Sequence, residues 1–227
     1  MLYDWTYLLI LPGLLLGLVA QWKVKSAYRN MSNQPSRSGR TADDVARELL
    51  AGNGNHRVTV VKIPGRLTDH YDPRKETLSL SEGVYGDTSL AAVGIAAHEA
   101  GHAMQKYLDY GPMALRNAIV PVVRISSQAY FPLFLLGIIF SLEPLLYIGI
   151  LCFAASLVFS LITLPVEFDA SRRGVRMLTE GGYISHEEIS GVKTVLNAAA
   201  LTYVAAAISS LLQLIRLLAI SGSRRRR

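Results

Sequence analysis

The chain alternates between long apolar stretches and polar segments. Residues 5–22 are almost uninterruptedly apolar, with aromatic side chains near both ends (Tyr3, Trp5, Tyr7 and Trp22). Aromatic residues favour a membrane interface. As a helix, these residues would rise about 27 Å, close to the thickness of a bilayer's hydrocarbon core. The pattern predicts a transmembrane anchor at the start of the chain.

Three further apolar stretches follow. Residues 125–142 and 145–164 predict a helical hairpin, with Glu143 and Pro144 as its turn. Residues 195–215 are long enough for a fourth span, but their hydroxyl and amide side chains leave a helix on the membrane surface or in a bundle as the alternative. We favour a span. The pattern thus predicts a mainly α membrane protein with three or four transmembrane helices.

Basic residues flank the predicted spans: Lys23, Lys25, Arg29, Arg116, Arg124, Arg172, Arg173 and Arg176. The positive-inside tendency places residue 23 onward and both ends of the hairpin in the cytoplasm, with the N-terminus outside. Because Asp4 stands where a signal peptide would be basic, we expect an uncleaved anchor. The prediction is a multi-pass protein of the plasma or inner membrane.

Composition agrees with a membrane protein that has one modest soluble part. Hydrophobic residues make up 51% of the chain and charged residues 18%, which argues against a wholly soluble enzyme. Four units of the net charge of +6 come from Arg224–Arg227. A basic tail near a bilayer favours anionic lipid over nucleic acid as a partner. Cys152 is the single cysteine, so no disulfide framework or cysteine metal site is predicted.

Residues 98–102 read His-Glu-Ala-Gly-His, which puts two imidazoles on one helix face with a carboxylate beside them. Two neutral imidazoles and a third ligand can hold Zn²⁺ with a position open for water, and Glu99 can take a proton from that water. Two surface histidines are the alternative, but the preceding residues 89–97 are small and apolar, as in a core helix. The motif predicts a zinc peptidase with His98 and His102 as ligands and Glu99 as catalytic base.

The polar segments predict a small α+β, zincin-like part around this motif. A helix begins near Thr41 and ends at Gly52, strands are predicted at 58–63 and 77–80, and the motif helix follows. In such a domain a sheet edge can bind substrate as an added strand, a role assigned to Leu78 and Leu80. We therefore divide the chain into an anchor (1–22), a first catalytic segment (23–119), a hairpin (120–165), a second catalytic segment (166–194) and a C-terminal helix with its tail (195–227).

The third zinc ligand has several candidates: His56, His70, His186, Asp72, Asp109, Glu143, Glu167 and Asp169. Glu143 is excluded because it lies at the far end of the hairpin. A hairpin returns the chain to the side it left, so Glu167, just after Pro165, can meet the motif. Glu167 is also expected to open a helix that ends at Gly181 and Gly182. The helix dipole by itself favours a carboxylate in the first turn of a helix, without any metal. The residues alone therefore leave the assignment of Glu167 as a ligand open.

Residues 69–105 and 164–173 resemble the YugP-type family of neutral zinc metallopeptidases, and the resemblance covers nearly the whole chain. It implies a membrane-embedded zincin-like peptidase of bacterial type that carries zinc on His98, His102 and Glu167. The more distant CAAX prenyl endopeptidases and HtpX-like peptidases follow their ligand glutamate with an aspartate four residues on, and that place is taken here by Ser171. Asp169 is then a candidate for orienting a histidine, and both residues are predicted to lie around the ligands or contact substrate.

Three functions are compatible with these patterns. The favoured one is a zinc endopeptidase that cuts polypeptide at the cytoplasmic membrane face. An intramembrane protease is the second, although Lys106, Asp109 and Arg116 leave the motif helix only a short apolar length. The third is a non-catalytic zinc-binding adaptor, against which the intact Glu99 argues, because a structural zinc needs no base. No nucleic-acid partner and no particular oligomeric state are predicted.

Overall fold

The computed structural model describes residues 5–225, so Tyr3, Asp4 and the last two arginines lie outside the described residues. After a short 3₁₀-helix (Trp5–Leu9), the elements in chain order are α1 (Leu11–Ser32), α2 (Ala42–Gly52), β1 (Thr59–Ile63), β2 (His70–Asp72), β3 (Thr77–Ser81), α3 (Leu90–Tyr107), α4 (Gly111–Ile139), α5 (Glu143–Glu180) and α6 (Ile189–Arg225). The predicted class, mainly α with a small α+β part, is confirmed.

Four of the described helices are long and apolar enough to cross a membrane: Thr6–Ser32, Gly111–Ile139, Glu143–Glu180 and Ile189–Ser223. These four candidates agree with the prediction of three or four transmembrane helices. The last of them contains residues 195–215, the stretch for which the sequence left an alternative open. The HExxH helix α3 is not among the candidates found in residues 5–225.

The chain divides into two compact units. The first, here called the apolar unit, comprises the described parts of residues 1–20 and 202–227 together with residues 114–164. The second, the HExxH unit, comprises residues 21–113 and 165–201. The HExxH unit is thus assembled from two pieces of sequence that the hairpin separates.

In the apolar unit, α4 and α5 approach closely at glycines. A Cβ atom on Gly137 would lie 2.6 Å from the backbone nitrogen of Leu146, and one on Gly149 would lie 2.7 Å from that of Phe134. Small residues allow helices to pack this closely where hydrophobic driving force is weak.

The turn of the hairpin lies earlier than predicted. Glu143 and Pro144 begin α5 instead of forming the turn, because proline is well tolerated in the first turn of a helix. The chain reverses at residues 140–142, where Ser141 has a φ of 54°. The backbone N–H of Leu142 donates to the carbonyl of Gly137 at 3.0 Å, which closes α4.

In the HExxH unit, the sheet has the order β1-β3-β2, with β1 parallel and β2 antiparallel to β3. Leu78 and Leu80 on β3 are fully buried in the core cluster that also contains residues of α2 and α3. The expectation that this segment offers a free edge for substrate is wrong, because β3 is the middle strand. β2 is not among the two strands that the sequence predicts; it forms through pairing with β3, which places Tyr71 opposite Leu78.

Helix α5 is continuous from Glu143 to Glu180 and passes through Pro165. The prediction that a new helix opens at Glu167 is therefore wrong. Proline removes one backbone hydrogen bond but is tolerated in long apolar helices. The predicted end at the glycine pair is confirmed: Gly182 has a φ of 71°, and the N–H of Tyr183 donates to the carbonyl of Leu178 at 3.0 Å.

Candidate metal and catalytic site

Helix α3 presents the two histidines of the motif on one face. Its N-cap residue is Ser89, whose hydroxyl accepts a hydrogen bond from the N–H of Ala92 at 3.3 Å. The rings of His98 and His102 lie edge to face with their centroids 4.7 Å apart. His102 and Glu99 are each only 8% exposed, so the motif lies in a largely dry environment.

Helix α5 brings Glu167 to these rings. Its Oε2 lies 3.3 Å from Nε2 of His98 and 3.4 Å from Nε2 of His102. One donor atom from each of the three residues lies within 4.8 Å of the others, and Glu167 is 2% exposed. Of the candidates for the third position, Glu167 is the one that the described structure brings together with both histidines.

Two glycines allow α3 and α5 to cross at this point. A Cβ atom on Gly101, inside the motif, would overlap the carbonyl oxygen of Ala170. A Cβ on Gly174 would lie 2.7 Å from the carbonyl oxygen of Ala97, well inside van der Waals contact. The absence of side chains here lets the two backbones approach until Glu167 reaches the imidazoles.

The Nδ1 nitrogens of the two rings have different hydrogen-bond partners. Nδ1 of His98 lies 3.0 Å from the hydroxyl of Ser171, and Nδ1 of His102 lies 3.0 Å from Oε1 of Gln105. The Gln105 amide nitrogen donates to the carbonyl of Val166 at 2.7 Å and to Asp169 at 2.9 Å. These two acceptors fix the amide, so its oxygen faces His102 and accepts from Nδ1–H. The Nε2 of His102 therefore presents its lone pair toward Glu167.

Sequence reasoning missed Gln105, a fully buried residue that holds His102. Asp169, the candidate for orienting a histidine, accepts from the Gln105 amide that contacts His102 and from Nε of Arg173 at 2.5 Å. The available signal was an amide three residues after His102, on the same face of a largely apolar helix.

Comparisons with known proteins agree with this geometry. The sequence profile of a family described as "putative neutral zinc metallopeptidase" matches residues 6–222. The chain belongs to this family. It is also 45% identical over 212 residues to a protein of Bacillus subtilis (strain 168) named "putative membrane protease YugP", a match that covers 93% of this chain and 94% of that protein. No solved structure matches the chain significantly.

The donor set fits the zinc that the family's description names. Two imidazole nitrogens and one carboxylate oxygen are a ligand combination of catalytic zinc sites. Ligands at about 2.0–2.2 Å from a tetrahedral zinc lie roughly 3.3–3.6 Å from one another, and the two measured separations from Glu167 fall in that range. Three protein donors leave a fourth position for water or substrate.

Glu99 has an environment suited to proton transfer. Burial raises the pKa of this carboxyl to about 7, and the nearby charges of Glu167 and Asp69 act in the same direction, whereas His98 and His70 act against it. A carboxyl group whose pKa lies near neutrality can both accept and return a proton, as a general acid–base catalyst must.

Proposed function

We propose that this protein is a membrane-anchored zinc endopeptidase that hydrolyses peptide bonds with an activated water molecule. The observation that carries the proposal is the meeting of His98, His102 and Glu167, from two separate pieces of sequence, beside the buried Glu99. A structural zinc site does not need a neighbouring carboxyl group whose pKa is near 7. Membership in a family described as zinc metallopeptidases supports the same conclusion.

In this proposal His98, His102 and Glu167 are the zinc ligands. Bound zinc would supply a Lewis acid that polarises a carbonyl and lowers the pKa of water. Gln105 keeps the proton of His102 on Nδ1, so that Nε2 is free to act as a donor, and Ser171 contacts the corresponding nitrogen of His98.

Glu99 is proposed as the general base. Its buried carboxylate takes the proton of the attacking water and then gives it to the leaving amine, so a single residue serves as base and then as acid. A pKa of about 7 balances these two tasks.

We place the site on the cytoplasmic side of the membrane. The support is the charge distribution: basic residues follow the first apolar stretch and flank both ends of the hairpin sequence (Lys23, Lys25, Arg29, Arg116, Arg124, Arg172, Arg173 and Arg176). The substrate would accordingly be a cytoplasmic or membrane-proximal polypeptide.

The deciding experiment separates metal binding from catalysis. In proteoliposomes with an unfolded reporter polypeptide, Glu99→Gln should retain stoichiometric zinc and lose at least about a hundredfold in cleavage rate, because the general base is gone. Glu82→Gln, an exposed glutamate elsewhere in the HExxH unit, is the matched control and should cleave like the wild type. Cleavage by Glu99→Gln at the wild-type rate would exclude the proposed mechanism.

The third ligand is tested by metal analysis of Glu167→Ala. Removal of one of three protein ligands should abolish stoichiometric zinc in the purified protein. If this variant retains one zinc per chain, Glu167 is not a ligand, whatever its effect on cleavage.

A further inference from the structure

A cavity of about 650 Å³ lies between α5 and α6 within the HExxH unit. Its walls include Phe168 and Arg172 on α5 and Lys193 and Leu196 on α6. None of the three metal donors lines it, nor does Glu99. Asp169 and Ser171 also line it, and they contact Gln105 and His98, so the cavity adjoins the metal site without including its donors. Binding in this cavity can be measured without relying on the proposed peptidase activity.

One part of this cavity carries an excess of positive charge. Arg172 and Arg176 stand four residues apart on α5, where like charges repel, and Lys193 faces the same cavity from α6. Within residues 5–225 none of these three cations has an ion pair or hydrogen bond to a side chain. Asp169, the acid in the wall, attracts Arg172 electrostatically, but it already accepts hydrogen bonds from Arg173 and Gln105. The three cations are exposed and outnumber the acid beside them, and this excess of positive charge favours an anion.

The rest of the cavity wall is apolar and lies at a different height along α5 and α6 from the three cations. Pro165, Leu196 and Ala200 line it, and so does Phe168, which is 45% exposed. Arg172 and Arg176 come about 10 and 16 Å further along α5 than Pro165 at 1.5 Å per residue. On α6, Lys193 precedes the apolar wall residues. Both helices are candidate membrane spans, Glu143–Glu180 and Ile189–Ser223, and in each the cations lie nearer to the end of the helix (Glu180 in α5, Ile189 in α6) than the apolar wall residues do.

We propose that this cavity binds one anionic phospholipid, with its phosphate on Arg172, Arg176 and Lys193 and an acyl chain along Pro165, Phe168 and Leu196. Inorganic phosphate would use the cations but not the apolar wall. Basic pockets between membrane helices on the cytoplasmic side are suited to lipid head groups, and the excess of cations selects an anionic one.

The test is native mass spectrometry of the detergent-solubilised full chain with dioleoylphosphatidylglycerol or dioleoylphosphatidylcholine. The wild type should retain one phosphatidylglycerol in preference to phosphatidylcholine. Arg172→Gln/Arg176→Gln should weaken that binding roughly tenfold or more, since each cation contributes to head-group attraction. Arg172→Lys/Arg176→Lys keeps the charge and should restore it. Lys193→Gln tests the site from the other helix and should weaken binding several-fold.

The matched control is Lys62→Gln/Arg74→Gln, which removes two exposed cations of the same unit away from the cavity and should bind lipid like the wild type. Equal retention of phosphatidylglycerol by the cavity and control variants would overturn the proposal, as would equal retention of the two lipids by the wild type. Full displacement of phosphatidylglycerol by equimolar inorganic phosphate would identify a phosphate site instead, and displacement by an equimolar acidic peptide would identify a peptide site.

Discussion

The arrangement around His102 depends on a residue that never reaches the metal. Gln105 is fully buried, and both the nitrogen and the oxygen of its amide are hydrogen-bonded. The nitrogen donates to two acceptors, and the oxygen contacts the His102 ring. A sequence motif points to imidazoles and carboxylates because these groups are common metal ligands. A neutral amide gives no such signal, and its role appears only when α5 supplies the backbone carbonyl of Val166 and the carboxylate of Asp169.

We predict that Gln105→Leu weakens zinc binding about 10- to 100-fold, because His102 loses the acceptor that fixes its tautomer. The measurement is zinc competition with a chelator on the purified protein. Lys106→Leu introduces the same side chain at the next, exposed position of α3 and should leave the affinity unchanged. An unaltered zinc affinity in Gln105→Leu would show that His102 is oriented without the amide.

At the level of elements, the site depends on how closely α3 and α5 approach. Gly101→Ala and Gly174→Ala each place a methyl group against the backbone of the other helix. We expect each to lower the free energy of unfolding by about 1–3 kcal/mol through overpacking and to reduce the zinc content of the purified protein. Denaturation in detergent and metal analysis measure the two effects.

The control for this pair is Gly52→Ala at the end of α2, where an added methyl meets no atom within 4 Å. Its stability should stay level or rise by about 0.4–1 kcal/mol, the usual effect of alanine at an unstrained site. Full zinc occupancy and stability in both crossing variants would mean that the helices can separate without loss of the site.

Local patterns predicted most elements, and the errors lie where distant residues decide. The spans, α2, β1, β3 and the motif helix follow from periodicity, apolar length and end signals. The strand His70–Asp72 is short and polar and exists through pairing with β3. The continuity of α5 through Pro165 runs against proline's local preference, so Glu167 was expected in a first turn and lies mid-helix instead. The expectation that Glu167 can lie close to the histidines rested on the return of the chain through the hairpin. It did not require a helix to begin at Glu167.

At the level of the whole molecule, the proposed sidedness predicts a labelling pattern. In a Cys152→Ser background, Leu142→Cys at the hairpin turn should react with a membrane-impermeant maleimide added to intact spheroplasts. Arg74→Cys, an exposed position next to β2, should react only after the membrane is opened. The reverse pattern would place the HExxH unit outside the cytoplasm.

Zinc also has a thermodynamic consequence for the molecule as a whole. The HExxH unit is built from residues 21–113 and 165–201, and the donor cluster joins them because two donors lie on α3 and one lies on α5. A metal that binds only this folded arrangement stabilises it, by about 2.7 kcal/mol when free zinc is a hundred times its dissociation constant. Removal of zinc by a chelator should therefore lower the thermal midpoint of the wild type, and added zinc should restore it. Glu99→Gln should respond in the same way, since its three donors are intact, whereas Glu167→Ala should show almost no response. A chelator-induced shift of equal size in Glu167→Ala would mean that the stabilising metal binds elsewhere.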